Sequence, residues 1–172
     1  MLFRSAGGSA GGTDHILAGL IAKSVGVPAT KVGYVAFSGG GQALAALLGN
    51  QVAAGISGYA EFAEQIKAGK LRLLAMSSDK RVPGIDAPTL KEQGIDVELA
   101  NWRGVFAPPG VSDAQRAAMS ALIEKMAASP QWKEECEKRD WIQITMMGDA
   151  YKAYIESEFA RIGDILKDLG LA

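Results

Sequence analysis

The stretch SAGGSAGGTDHILAGLIAKSVG, residues 5–26, decides how this chain folds. A loop of small residues, 5–13, runs into segment 15–25. There Ile16, Leu17, Leu20, Ile21 and Val25 fall on one helical face. Thr13 or Asp14 is placed to cap that helix, and Gly26 stands where a left-handed residue ends one. A strand ahead of the loop has room only in residues 1–4. Moving outward, VGYVAF at 32–37 reads as a strand by its β-branched and aromatic content. A second glycine loop, Ser38-Gly39-Gly40-Gly41, opens a helix over 42–48 that Gly49 and Asn50 stop. A buried strand over 52–57 turns through Ser57-Gly58-Tyr59 into a helix over 60–68, ended by Gly69, and LRLLAMS at 71–77 is the next strand. Strand, loop and helix recur in this order, which predicts an α/β fold with a mainly parallel sheet.

Beyond residue 77 the pattern changes. Residues 78–110 are rich in turn formers, with a short helix expected over 89–93 and extended pieces over 97–100 and 102–107. Ser112-Asp113-Ala114-Gln115 is a capping-box pattern opening a helix to about residue 128. Ser129-Pro130 opens another over 131–139. A short strand is expected over 143–146. Asp149 is placed to cap a last helix with apolar residues at helical spacing from Tyr151 to Leu169.

Composition bounds the function. The 172 residues are 48% hydrophobic and 22% charged, which excludes a disordered chain. Eighteen basic residues against 19 acidic ones argue against a nucleic-acid partner. A single cysteine, Cys136, excludes an internal disulfide and a multi-cysteine zinc site, and a single histidine, His15, excludes a histidine-rich metal site. No cofactor and no metal are expected. The first residues lack a basic stretch followed by an apolar run, so no signal peptide is expected within this chain. Glycine is the excess: 21 residues, 13 of them in the first 60.

Eight of those 13 glycines sit in three loops. Ser9, Ala10, Gly11, Gly12, Thr13 and Asp14 precede the first helix; Ser38, Gly39 and Gly40 the second; Ser57, Gly58 and Tyr59 the third. Bare backbone at a helix N-terminus points N–H groups and partial positive charge at one place, which suits a carboxylate or phosphate. Each loop alone also fits a tight strand-to-helix turn that binds nothing. In an open α/β sheet all three project from the carboxyl edge, where ligands bind. Known nucleotide loops do not fit: no lysine follows Gly12, and neither 7–12 nor 39–44 spells G-x-G-x-x-G. His15 reads as a first-turn helix residue, since no G-x-S-x-G elbow supplies it a serine. Cys136, in a charged helix, reads as a structural thiol. Trp102, Trp132 and Trp141 read as packing residues.

Taken in order, SAGGTDHILAGLIAK, GYVAFSGGGQALAALLGNQV, IKAGKLRLLAMSS, APTLKEQGIDVE and NWRGVFAPPGVSDAQ resemble the substrate-binding proteins of tripartite tricarboxylate transporters, the Bug receptors, and their tricarboxylate-binding branch in particular. The resemblance implies a type II periplasmic-binding-protein-like lobe with a mainly parallel sheet, plus C-terminal helices belonging to the other lobe. Residues 1–100 would be the second ligand-binding lobe and 101–172 an incomplete return segment of the first. It implies a periplasmic receptor, not an enzyme, that clasps a di- or tricarboxylate such as citrate between two lobes and passes it to membrane permease subunits. The twelve loop residues above would meet the ligand. The family's first-lobe half, with its own glycine loop, has no counterpart here, so the chain is expected to be a C-terminal portion. Two rival readings are an α/β enzyme using His15 or Cys136 beside an oxyanion-binding loop, and a non-binding fragment that self-associates through surface left bare.

Overall fold

A computed structural model describes residues 4–172. The expected first strand therefore lies largely outside the described residues, and the strand they contain sits later. Strand β1 is Arg4–Gly7, so Ser5, Ala6 and Gly7 belong to the sheet and not to the loop. Helix α1 follows at Thr13–Ser24, strand β2 at Gly33–Ala36 and helix α2 at Gly40–Leu48. Strand β3 is only Ala54–Gly55, and helix α3 is Tyr59–Lys67. The sheet runs β2-β1-β3, all parallel, with Ala6 opposite Val35 on one side and Gly55 on the other. Each crossing between strands carries a helix, as parallel pairing requires.

Small residues bring the layers close. Ala6 and Ala43 are completely buried where α2 lies on β1, with Ala46 and Val52 beside them. A Cβ on Gly55 would stand 3.1 Å from both Leu47 and the Phe62 ring. The bare backbone of β3 lets both side chains come this close. The helix ends follow the sequence reading: Gly26 and Gly69 take positive φ, and Asn50 does so after α2.

Residues 71–77 do not form a strand. They make one parallel bridge, Met76 with Thr89. The Met76 N–H donates to Pro88 O, and Met76 O accepts from the Leu90 N–H, both at 2.9 Å. Pro88 has no N–H with which to continue a ladder. Neither 97–100 nor 102–107 is a strand, 89–93 holds one 3-10 turn at Lys91–Gln93, and 143–146 makes no strand pairing among the described residues.

The chain divides into two compact units, one of residues up to Asn101 together with Phe159–Ala172, the other Trp102–Glu158. In the first unit the end of helix α6, Gly148–Asp168, lies on α1. Ile165 is 1% exposed and packs with Ile16, Ala29 and Leu99, and Gly19 leaves room for its side chain, since a Cβ there would stand 3.2 Å from Ile165 Cδ1. Residues 159–172, grouped on the sequence with the second segment, thus pack with the first unit.

The second unit holds helices α4, Asp113–Ala127, and α5, Pro130–Lys138. Ser112 and Gln115 form the reciprocal box expected, and Ser129 caps α5 ahead of Pro130. Aromatic rings fill the space between elements: Trp102 meets Tyr154 edge-on at 5.8 Å, Trp132 lies 6.4 Å from Trp141, and Arg139 stands over Trp141. Cys136 is buried, as a structural thiol. Removing the box with Ser112→Ala costs about 1 kcal/mol of local stability. Amide exchange at Gln115 and Arg116 checks it, since both should speed up together. No helix among the described residues is long and apolar enough to cross a membrane.

Candidate functional site

The three strand-to-helix turns meet at the carboxyl edge of the sheet, and the N-terminal residues of α1, α2 and α3 share one physical property. Their N-caps are Gly12, Gly39 and Gly58, and none makes a side-chain capping bond. The sequence pointed to Thr13 or Asp14 as the cap of α1. The structure corrects this: both lie inside the helix, and Asp14 turns back to accept the Gly8 N–H at 2.7 Å. Helices α4 and α5, in the other unit, are both capped by serine hydroxyls. First-turn N–H groups without a cap stay available to an outside acceptor.

In the first loop the glycine N–H groups are not the open donors. Gly8 donates to Asp14, Gly11 donates to His15 Nδ1 at 3.1 Å, and Gly12 donates to Ser9 O at 2.9 Å. Tyr34 locks the loop from the neighbouring strand. Its hydroxyl donates to Gly8 O at 2.8 Å, and its ring stacks on His15 with centroids 4.3 Å apart and planes 9° from parallel. Thr13 Oγ1 donates to Asn101 Oδ1 at 3.3 Å. In the second loop the Ser38 hydroxyl donates to Gln42 Oε1 at 2.9 Å. In the third, the Ser57 hydroxyl donates to the Glu61 carboxylate, which lies against Gly40.

Of the expected residues, Ser9, Ala10, Ser38 and Gly58 are exposed. Gly11, Gly12, Thr13, Asp14, Gly39, Ser57 and Tyr59 are half-buried, and Gly40 is buried beneath Glu61 and Ser57. Three residues that order this edge were not singled out on the sequence: Tyr34, Glu61 and Asn101. Tyr34 and Asn101 lie 26 and 88 positions from their loop partners, so no local spacing reveals them. Glu61 alone had a local signal, four residues after Ser57 in the first turn of α3.

The edge carries its own negative charge. Burial pushes the Asp14 carboxyl above the usual aspartate range, the Gly8 N–H partly opposes this, and the Glu61 charge adds to it. Burial, then the Asp14 charge, raises the Tyr34 hydroxyl. Partial burial lowers His15 below the usual imidazole value. With Nδ1 accepting from Gly11, the neutral ring carries its proton on Nε2. A lowered folded pKa means the neutral ring is favoured by folding. That stability is present above the ordinary value of ~6.5 and is lost as pH falls through the lower folded value. Protonation at Nδ1 also removes the acceptor for Gly11. Acidification from pH 7 towards about 5 should therefore shift the Gly11 amide resonance, and His15→Ala should abolish that shift. A Gly11 signal that stays put in the unmodified protein overturns the assignment.

This geometry meets a matching comparison. The model of the tripartite tricarboxylate transporter family receptor matches residues 3–171. The chain belongs to that receptor family. The family is one of receptors, and its Polaromonas neighbour is a solute-binding protein. BugT of Bordetella pertussis is 26% identical over 162 residues, 93% of this chain and 49% of BugT. A UPF0065 protein from the TAR-I ttuE-ttuC′ intergenic region of Agrobacterium vitis is 27% identical over 103 residues, 59% of this chain and 30% of that protein. A TctC solute-binding protein from Polaromonas, solved without ligand, superposes with TM-score 0.80 at 27% identity, covering 97% of this chain and 57% of its own. An R. palustris protein solved with adipate superposes with TM-score 0.80 at 23% identity, over 99% of this chain and 56% of its own, a likeness of fold. The receptor fold expected from the sequence, α/β with a parallel sheet, is the one observed. The chain spans about half the length of BugT.

Proposed function

We propose that this chain supplies one ligand-binding lobe of the extracytoplasmic receptor of a tripartite tricarboxylate transporter, and that its carboxyl sheet edge takes one end of a small di- or tricarboxylate of the citrate type. The carrying observation is that Gly12, Gly39 and Gly58 leave three helix N-termini without side-chain caps at one edge of one sheet. Three partial positive charges and their first-turn N–H groups suit a carboxylate. No lysine or arginine lies in the loops 7–12, 37–39 and 56–58, so recognition rests on backbone dipoles. Asp14 is the local acceptor for a ligand hydroxyl or a protonated carboxyl.

In this reading the twelve loop residues are the binding set, residues up to about 100 form the second lobe, and the following segment returns into the first. The opposite wall of the cleft corresponds to the part of such receptors that this chain does not match. The receptor works in the periplasm and hands its ligand to membrane permease subunits. That BugD, with TM-score 0.70 at 22% identity, is named a periplasmic binding protein supports the fold part of this reading.

Isothermal titration with citrate, with dicarboxylates of increasing length and with a neutral amide tests it. Heat from the acids and none from the amide is expected; no heat from any carboxylate sinks the proposal. Gly39→Ser sharpens the test. Gly39 has extended backbone, φ 177, and a Cβ there meets nothing within 4 Å. A serine fits without strain and caps α2 with its own hydroxyl. It should stabilise the protein by a few tenths of a kcal/mol and weaken carboxylate binding, because cap and ligand compete for the same N–H groups. Unchanged affinity in a variant that has gained stability would show that α2 does not face the ligand.

A further inference from the structure

Positive side chains are missing from the part of the chain that builds the three loops. Residues 5–22 and 32–66 contain no lysine or arginine, whereas Asp14, Glu61 and Glu64 fall within them. One group there takes up a positive charge near neutral pH, and it is His15. Its ring is half-buried, lies flat against Tyr34 with centroids 4.3 Å apart, and accepts the Gly11 N–H on Nδ1 at 3.1 Å. The other two glycine donors of the loop end elsewhere. Gly8 gives its N–H to the Asp14 carboxylate and Gly12 gives its own to a backbone carbonyl. A protonated carboxyl keeps an acceptor oxygen, but a doubly protonated imidazole keeps no acceptor at all. The Gly11 bond is therefore the one that a proton removes.

Protonation at Nδ1 leaves two donors facing each other, the ring N–H and the Gly11 N–H. The acceptors around them are engaged: Asp14 with Gly8, Ser9 O with Gly12, and Gly8 O with the Tyr34 hydroxyl. The Tyr34 ring offers a face that tolerates a cation. From α3, the Glu61 charge acts on Asp14. From the end of α6, the apolar Leu166 and Leu171 lie beside Gly11, while Asp168 is paired with Lys23 and Asp164 with Lys167. A carboxylate from outside would accept from both donors and balance the ring's charge. We infer that His15 is a proton-operated switch of the ligand loop: neutral, it holds the Gly11 N–H inside the loop; protonated, it offers that N–H and its own to a bound carboxylate. The inference deepens the carboxylate reading and rests on it. Burial disfavours the charged ring in the free chain, which keeps the switch off at neutral pH. By linkage, the ligand strengthens proton binding at His15 by the same factor as the proton strengthens ligand binding.

The test titrates the full 172-residue chain with citrate near pH ~7.5 and ~5.5, followed by calorimetry and by the Gly11 amide and His15 ring resonances. Citrate should bind about tenfold tighter at the lower pH, the gain of a charge-assisted hydrogen bond over a neutral one, and it should move the His15 titration midpoint upward. His15→Asn is the control, because its Oδ1 can accept from Gly11 and takes no proton. Titration of citrate itself and of Asp14 acts on both proteins, so the ratio of their affinities isolates the ring. That ratio should change about tenfold between the two pH values. A constant ratio overturns the inference, and so does a His15 midpoint that bound citrate leaves unmoved. If His15→Asn loses protection at the Ala6 and Val35 amides, His15→Ala takes its place in the ratio, and the midpoint is read on the unmodified chain in either case. Should citrate give no heat at either pH, formate, which stays ionised at both, decides. A Gly11 amide that formate shifts only at the lower pH keeps the switch and sinks the citrate-type ligand alone; one that formate never shifts overturns the switch as well.

Discussion

Gly7→Ala should destabilise the first unit by about 2–3 kcal/mol, the upper part of the range for adding a methyl to a packed interior. The added Cβ would run into the Tyr34 hydroxyl, stand 2.7 Å from Asp14 Cβ and 2.9 Å from the Ile56 carbonyl oxygen. A flexible hydroxyl can turn aside. The other two atoms belong to α1 and to the backbone leaving β3, so they cannot. Gly7 is also tied on its own strand, since its carbonyl accepts the Phe37 N–H at 3.0 Å. The methyl therefore pushes apart the three elements that hold the candidate site, and Tyr34 should lose its bond to Gly8 O. All three tryptophans lie in unit two, so amide exchange within unit one is the direct readout. Exchange of the Ala6 and Val35 amides will, with an acceleration of roughly 30-fold or more, by the conversion of 1.4 kcal/mol per tenfold. A stability within about 0.5 kcal/mol of the parent, the size of an ordinary surface change, would mean that the backbone gives way easily here.

Ile165→Ala should cost about 2–5 kcal/mol, the range for truncating a fully buried isoleucine. Ile165 joins the end of α6 to α1, meeting Ile16, Ala29 and Leu99 in a cluster bordered by Leu17, Leu20, Leu166 and Leu169. A Cβ at Gly19 would stand 3.2 Å from its Cδ1, so α1 approaches closely just where the methyl groups would be lost. A competing explanation for this docking is the Lys23–Asp168 ion pair at 2.5 Å. Both side chains are well exposed, and such pairs contribute about 0–1 kcal/mol. Lys23→Ala should therefore leave the tail in place while Ile165→Ala releases it. Amide exchange over 165–169 separates the two; equal effects would show that the charge pair matters as much as the core.

Much of the first unit could be read from the chain itself. Segment 15–25 became α1, and Gly26 took the left-handed conformation expected of it, because helix period and a glycine stop are local properties. The capping box at Ser112 and the serine-proline start at Ser129 were legible for the same reason. The misreadings share a cause. LRLLAMS has strand composition, but whether it enters a sheet depends on Pro88, eleven or more residues away, which cannot continue a ladder. Residues 143–146 alternate as a strand does, yet among the described residues they pair with no strand. The cap of α1 was misplaced because Asp14 had a distant choice: the Gly8 N–H across the loop.

By itself, the sequence determined the order of strands and helices up to about residue 69, the three glycine turns at one sheet edge and the membership in a receptor family, since these rest on spacing and on motifs that lie together in the chain. Only the tertiary structure decided which donors those turns leave open. Gly8, Gly11 and Gly12 spend their N–H groups inside the loop, and the first turns of α1, α2 and α3 remain uncapped. It also decided that the chain's last residues pack on its first helix, and that Ile142, Ile144 and Met146, patterned like a strand, are exposed without forming one. The physical reason is one of range: helix period, caps and turns are settled between residues a few positions apart, whereas the fate of a hydrogen bond or an apolar face is settled by whatever the fold brings to it from far along the chain.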